Sequence, residues 1–284
     1  MAKKYRDLLV FLVIYLLAYL IGFLACLPFS ELLPKAVIFD LVATVVTFVF
    51  SVIFRNSSVY DAYWSLTPMV MSLYLFLRAR AFSPWQIAFL AIFNLWSLRL
   101  TVNWITVTTG FSYEDWRYRQ YRENNPPVLW FIINFFGIHL VPTVVVFLGM
   151  LPLFEIINST MNVLCLPGLS LMFFGICLEF FADRAMHAFL SQTKEKTVCR
   201  RGLWRFSRHP NYLGEISVWL GTLLTMLPFV PEKWFYGIGF LSVAVLFNVV
   251  SIPLMEKRQL ARRPDYAAYR KETSRLLLLP NKKH

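Results

Sequence analysis

Apolar runs of about 20 residues recur along this chain, the length a helix needs to cross the ~30 Å hydrocarbon core of a bilayer. They fall near 8–28, 36–54, 64–77, 85–107, 128–151, 163–181, 211–228 and 234–254. Inside a bilayer no water satisfies an unpaired backbone amide, so each run must close its own hydrogen bonds as a helix. The pattern predicts an all-α, polytopic transmembrane helical bundle of about eight spans. Lys3, Lys4 and Arg6 precede the first run, as they would in a signal peptide. That run is about 20 residues long and lacks a small-x-small cleavage site, so it is expected to be a retained helix.

Eight spans place both termini on one face. If that face is cytoplasmic, the N-terminus, the 55–62, 108–127 and 182–210 links and the tail gather 23 of the 28 Lys and Arg residues; Lys35, Arg78, Arg80 and Lys233 fall outside and Arg99 falls within a span. The positive-inside rule therefore favours cytoplasmic termini. The same rule accounts for the net charge of +12 without a nucleic-acid partner. Cys26, Cys165 and Cys177 sit in apolar runs and Cys199 in a link, a spacing of hydrophobic filler rather than of disulfides or a metal site. No repeat and no Pro/Gly/Ser-rich linker interrupts the chain, which reads as one helical domain.

Function is then to be sought among polar groups that a bilayer ordinarily excludes. In "SSVYDAYWSLTP" (57–68), an interfacial aromatic belt accounts for Tyr60, Tyr63 and Trp64 but not for Asp61. In "FNLWSLRLTVNW" (93–104), Arg99 lies mid-helix with Asn103 one turn away on the same face. That face is expected to line a wet cavity, a structural ion pair being the plainer alternative. "YEDWRYRQYRE" (113–123) suits an interfacial amphipathic helix.

The longest cluster joins "LEFFADRAMHAFL" (178–190), "GLWRFSRHPNYLGE" (202–215) and "PLMEKRQLARRPDYAAYRKETSRLLLLP" (253–280). Glu179, Asp183 and His187 share a helix face by their spacing of four. Pro210 suits the first turn of a new helix, which puts Asn211 and Glu215 one turn apart near its start. Arg-rich entrances and helix N-termini attract phosphate. The chain has no GxGxxG and no GxxxxGK[ST], so any nucleotide would sit between helices rather than in a Rossmann or P-loop domain. Its four histidines, His139, His187, His209 and His284, form no metal box, and no GxSxG suggests acyl transfer. Tyr266 and Tyr269, with the basic residues around them, either cap a nucleotide or rest on anionic headgroups.

"GLWRFSRHPNYLGE", preceded by "ADR" and followed by the 253–280 segment, resembles the membrane-embedded steroid 5-alpha-reductase-like proteins, in particular their bacterial DUF1295 branch; "YDAYWS" and "EDWRY" are similar too. The likeness covers about residues 40–284, which casts 36–284 as a seven-helix reductase domain and 1–35 as an added N-terminal helix. It implies NADPH-dependent reduction of an activated C=C bond in a lipid enone, typically a 3-oxo-4-ene steroid, by a monomer in a bacterial inner membrane. NADPH contacts would fall on Asp183, Asn211 and Glu215, with Arg99 at the family's transmembrane Arg position. Asn103, Arg205, Arg208, His209 and Tyr212 join them by proximity. Asp61, seven residues before Pro68, matches a carbonyl-binding Glu, and Tyr60 replaces the Gln beside it. Trp96 stands where the family has a Tyr, three residues before Arg99, so Tyr60 or Tyr63 would have to take its place; Trp64 and Trp96 would wall the substrate.

The implied chemistry suits these groups. Hydride addition to an enone builds negative charge on the carbonyl oxygen, which a placed donor stabilises. A protonated Asp61 in an apolar pocket would be one. Because HP-x-Y-x-G also occurs in isoprenylcysteine carboxyl methyltransferases, S-adenosylmethionine-dependent methyl transfer is the rival reading. A transporter would be expected to show internal repeats, which the chain lacks.

Overall fold

The computed structural model describes residues 2–79, 82–193 and 197–281. Arg80 and His284, named above, lie outside the described residues. The elements are α1 (Ala2–Cys26), α2 (Leu32–Ile53), α3 (Tyr63–Arg78), α4 (Pro84–Val107) and α5 (Trp116–Asn124), then α6 (Pro127–Ile156), α7 (Leu166–Gln192), α8 (Pro210–Met226), α9 (Pro231–Arg262) and α10 (Tyr266–Glu272). No strand occurs among the described residues, only the isolated bridges Thr109–Phe111 and Ser207–Ser274.

A helix stands at each of the eight expected places. Six of them (α1, α2, α4, α6, α7 and α9) are long and apolar enough to cross a bilayer. The other two, α3 and α8, have 16 and 17 residues and fall short of that length. The chain is an integral, multi-pass membrane protein. The expected ends that move furthest are two: α7 continues eleven residues past 181, to Gln192, and α9 reaches Arg262. Apolar composition marks where hydrocarbon ends, and the helices carry polar faces beyond it. Within α6, residues Ile133–Leu140 form a π-helical stretch, and Leu246–Ser251 of α9 form another.

The described residues divide into two compact units, 1–81 with 93–157 and 82–92 with 158–284. In the first, Phe11, Ile14, Tyr15 and Ala18 of α1 pack with Ala43 of α2 and with Val59, Tyr60, Ala62 and Tyr63, so α1 shares a core with the residues around it. Hydroxyl bonds join α3 to α4: Ser65 to Thr101 (2.9 Å), Ser97 to the Ser65 carbonyl, and Ser72 with Asn94 (3.2 Å). In the second unit α7 and α8 run antiparallel with glycines at their contact. A Cβ on Gly175 would lie 2.5 Å from the Gly214 carbonyl oxygen, and one on Gly168 would lie 2.3 Å from the Thr225 amide. Small residues of this kind let membrane helices approach backbone to backbone.

Candidate functional site

In the first unit, Tyr60, Asp61 and Tyr63 turn to different partners although they are near neighbours in the chain. The Tyr60 hydroxyl shares a 2.8 Å bond with that of Thr143. Tyr63 donates to the Asp40 carboxylate at 2.9 Å and accepts from Thr44 at 3.2 Å. Asp61 is half-buried and accepts from the Tyr118 hydroxyl at 3.1 Å.

Asp61 belongs to a polar clasp between residues 55–61 and 109–122. Asn56 donates to the carbonyls of Phe111 (3.0 Å) and Tyr113 (2.8 Å), and the Ser57 amide donates to Glu114 (3.1 Å). The Asp115 amide donates to Ser58 (2.8 Å), and Arg122 bridges Glu114 and the Arg55 carbonyl. Burial and then the nearby Asp115 carboxylate push the Asp61 pKa up to about 7, against the opposing pull of the Ser58 bond, the Arg117 charge and the Tyr118 bond. A carboxyl so placed keeps a share of its proton near neutrality. Because the folded value lies above the unfolded one, the stability Asp61 contributes is full below about pH 4 and lost as pH rises through about 7. Asp61→Asn is therefore expected to flatten the fall in unfolding temperature between those pH values, measured in detergent. An unchanged slope would show that the carboxyl is already ionised in the fold.

Of the remaining expected residues here, Trp96 is fully buried with its ring centroid 5.3 Å from that of Phe93. Trp64 packs against the core that contains Tyr60 and Tyr63. Arg99 and Asn103 are half-buried on α4. The structure adds Asp40 and Thr44 on α2, and Asn134, His139 and Thr143 on α6, all buried, which the polar clusters of the sequence do not include. Asn134 accepts from the Ser57 hydroxyl at 2.8 Å, and its carbonyl lies 2.8 Å from His139 Nδ1. An acid in mid-run, within "VIFDLVAT", was the available signal for Asp40.

In the second unit, Pro210 opens α8, as its fixed φ suits the first turn. Asn211 is half-buried and Glu215, one turn on, is buried and accepts from Trp219 Nε1 at 2.9 Å. Gly214 lies against α7 beside Glu179: a Cβ there would sit 2.5 Å from the Glu179 Cγ. Along the shared face of α7, Glu179 is buried, Asp183 half-buried and His187 exposed. The face therefore runs from the interior outward.

Arg208 and His209 are held by the protein itself. Arg208 Nε donates to Glu256 at 2.8 Å, and its Nη1 donates to the carbonyls of Arg270 (2.9 Å) and Thr273. His209 Nε2 lies 3.3 Å from the same carboxylate, and its ring stacks on Tyr212, which stacks in turn on Phe247. Burial lowers the His209 pKa although Glu256 pulls it the other way. Arg205 is exposed, over the Phe206 ring. Tyr266 and Tyr269 are buried with Val198, and the Tyr269 hydroxyl donates to the Trp204 carbonyl. These tyrosines pin the tail to the 197–208 segment and present no ring for a nucleotide or a headgroup.

Glu256 is the hub of this arrangement. Removing one member of a buried ion pair leaves the other charge uncompensated, at a cost of ~3–5 kcal/mol. Glu256→Ala is expected to lose stability on that scale and to expose the 263–279 segment to protease. The double variant Arg208→Met with Glu256→Met should recover part of the loss; equal melting of Glu256→Ala and wild type would refute the hub. Beside it, Arg208, Glu256, Lys257, Arg270 and Arg275, with Pro253, Leu260 and Ala261, line a recess of about 640 Å³. No set of three His, Cys, Asp or Glu side chains gathers as metal ligands among the described residues.

The DUF1295 family, described as proteins of unknown function, matches residues 47–273, and the chain belongs to that family. An uncharacterized protein of Schizosaccharomyces pombe is 24% identical over 258 residues, covering 78% of this chain and 72% of that protein. No solved structure matches.

Proposed function

We propose that this DUF1295 protein reduces an activated C=C bond in a lipid enone, most simply a 3-oxo-4-ene steroid taken to the 5-alpha-3-oxo product, with NADPH as reductant and both termini in the cytoplasm. The observation that carries the reading is the setting of the HP-x-Y-x-G-E element: Asn211 and Glu215 sit in the opening turns of α8, whose Gly214 abuts the Glu179–Asp183 face of α7. Three further features suit a dinucleotide. The recess beside Arg208 has a volume typical of ligand pockets. Beyond the Arg208–Glu256 pair, Lys257, Arg270 and Arg275 line it with positive charge, which favours phosphate. Asp183, Asn211 and Glu215 supply the acid and amide groups that the family likeness assigns to the cofactor. NADPH, when bound, supplies the hydride, and the protein's share is orientation and electrostatics.

Purified protein in detergent, given NADPH and a panel of 4-ene-3-oxo steroids and other lipid enones, is expected to oxidise NADPH in step with loss of the conjugated absorbance. Binding of S-adenosylmethionine without binding of NADPH would replace this reading with the methyltransferase one, since only NADPH carries phosphate charge.

A further inference from the structure

Five side chains of the first unit form an unbroken row of hydrogen bonds. Tyr63 donates to Asp40 Oδ1 (2.9 Å) and Thr44 donates to Tyr63 (3.2 Å); the Thr44 and Thr143 hydroxyls lie 3.0 Å apart, and those of Thr143 and Tyr60 2.8 Å apart. None of the five residues is more than 4% exposed. The row joins α2, the entry to α3, and α6. Packing alone would favour Val and Phe at such places, because they fill similar space without desolvating a polar group. Each hydroxyl is donor and acceptor at once, so a row of them can pass a proton from end to end.

The Tyr60 end carries a second mark. Its ring centroid lies 4.9 Å from that of His139, which is fully buried. The Asn134 carbonyl, 2.8 Å from Nδ1, takes the proton there and leaves Nε2 a lone pair. Nε2 has no partner among the described residues. His139 sits in the π-helical stretch of α6, a geometry that recurs at functional sites.

We propose that this row is a proton relay from Asp40 to Tyr60, and that Tyr60 and His139 together receive the oxygen of an oxo-lipid. The inference rests on the reductase reading for its substrate. When Asp40 is ionised it accepts from Tyr63, and Thr44 donates to Tyr63, so the row points toward Asp40. With the proton on Asp40, rotation of the hydroxyls reverses the row and frees the Tyr60 O–H for a ligand. As hydride reaches the β-carbon and charge builds on the carbonyl oxygen, the Tyr60 O–H bond breaks and a substrate O–H bond forms. Thr143, Thr44 and Tyr63 each replace the proton lost by the next, and Asp40 supplies the last. The enol O–H donates to His139 Nε2. When the enol collapses to the ketone, the α-carbon takes a proton from water and the oxygen's proton returns along the row to Asp40. One hydride and one proton are consumed for each double bond. Asp40 lends a proton and recovers it.

Tyrosine labelled with ¹³C at Cζ reads the row in the protein without dinucleotide, with Tyr60→Phe to assign the resonance. Asp40→Asn is expected to shift the Tyr60 signal in the otherwise wild-type protein and to leave it unmoved in a Thr143→Val background. In turnover, Thr143→Val is expected to lower kcat on the order of 10²-fold, the scale of general acid catalysis. KM should stay within about threefold, and Thr143→Ser should restore kcat, as loss of a transition-state interaction requires. A Tyr60 shift that is the same with and without Thr143, or Thr143→Val with wild-type kcat, would overturn the relay. If wild-type protein reduces no enone, the reductase reading falls, and the resonance coupling alone decides whether the row transmits.

Discussion

Gly214→Val is expected to leave almost no folded protein. A Cβ at Gly214 would stand 2.6 Å from the Gly175 carbonyl oxygen and 2.5 Å from the Glu179 Cγ, distances that real side chains do not tolerate. Nor can the neighbours step aside. A Cβ on Gly221 would likewise lie 2.7 Å from the Gly168 carbonyl oxygen and from the Met172 amide, so the two backbones approach as closely at a second point along the helices. On each helix the glycines are seven residues apart, two turns, and so lie on one stripe. Forcing α7 and α8 apart would forfeit packing along their whole contact, in a medium where lipid tails already solvate apolar surface and packing is what associates helices. Gly137→Ala is the control, because its Cβ would have as its nearest neighbour a side-chain carbon at 3.8 Å, ordinary contact. Size-exclusion chromatography of the two variants in detergent separates the cases: loss of the monodisperse peak for Gly214→Val and retention for Gly137→Ala. A wild-type peak and melting curve for Gly214→Val would mean that the helices are not in backbone contact.

Much of the helical layout is visible in the sequence because the bilayer imposes a length. An apolar run of about 20 residues has few other uses, so the helices stand where the runs predict. Their ends are less visible. Past residue 181, α7 continues through Asp183, Arg184 and His187, where composition no longer distinguishes helix from link. The π-helical stretch at Ile133–Leu140 leaves no trace in composition, since its residues are as apolar as an α-helix would need. What sets it apart is the backbone hydrogen-bond step, which composition does not encode.

The candidate site divides along the same line. Polar groups that stand out against apolar neighbours, such as Asp61, Asp183 and Glu215, are readable one at a time. Thr44 and Thr143 are not, because a threonine in a membrane helix commonly bonds its own backbone and signals nothing; only the approach of α2 to α6 makes them a pair. Arg208 and His209 show the opposite case. Their place in a dense motif suggests ligand contacts, yet the carboxylate that holds them lies 47 or 48 residues away, at Glu256. A motif groups residues that are needed together, and part of the need here is to anchor the chain that follows.

That division separates two kinds of loss in the motif. Asn211→Ala and Glu215→Gln are expected to lower turnover by about 10²-fold or more, because a misplaced reacting group costs that much even when the chemistry is untouched. Neither should unfold the protein. Asn211→Ala adds no bulk in the first turn of α8, where residue 211 is half-buried, and a glutamine at 215 can still accept the Trp219 N–H bond that Glu215 accepts at 2.9 Å. Arg208→Met should do the reverse, lowering the melting temperature and freeing the tail through the loss of three bonds to Glu256, Arg270 and Thr273. The comparison is made by titrating NADPH against each purified variant and following melting in parallel. Tight NADPH binding and full turnover in both Asn211→Ala and Glu215→Gln would remove these residues from the cofactor site. Weakened binding with unchanged melting would place the dinucleotide against the opening turns of α8, where a helix N-terminus and a buried acid meet.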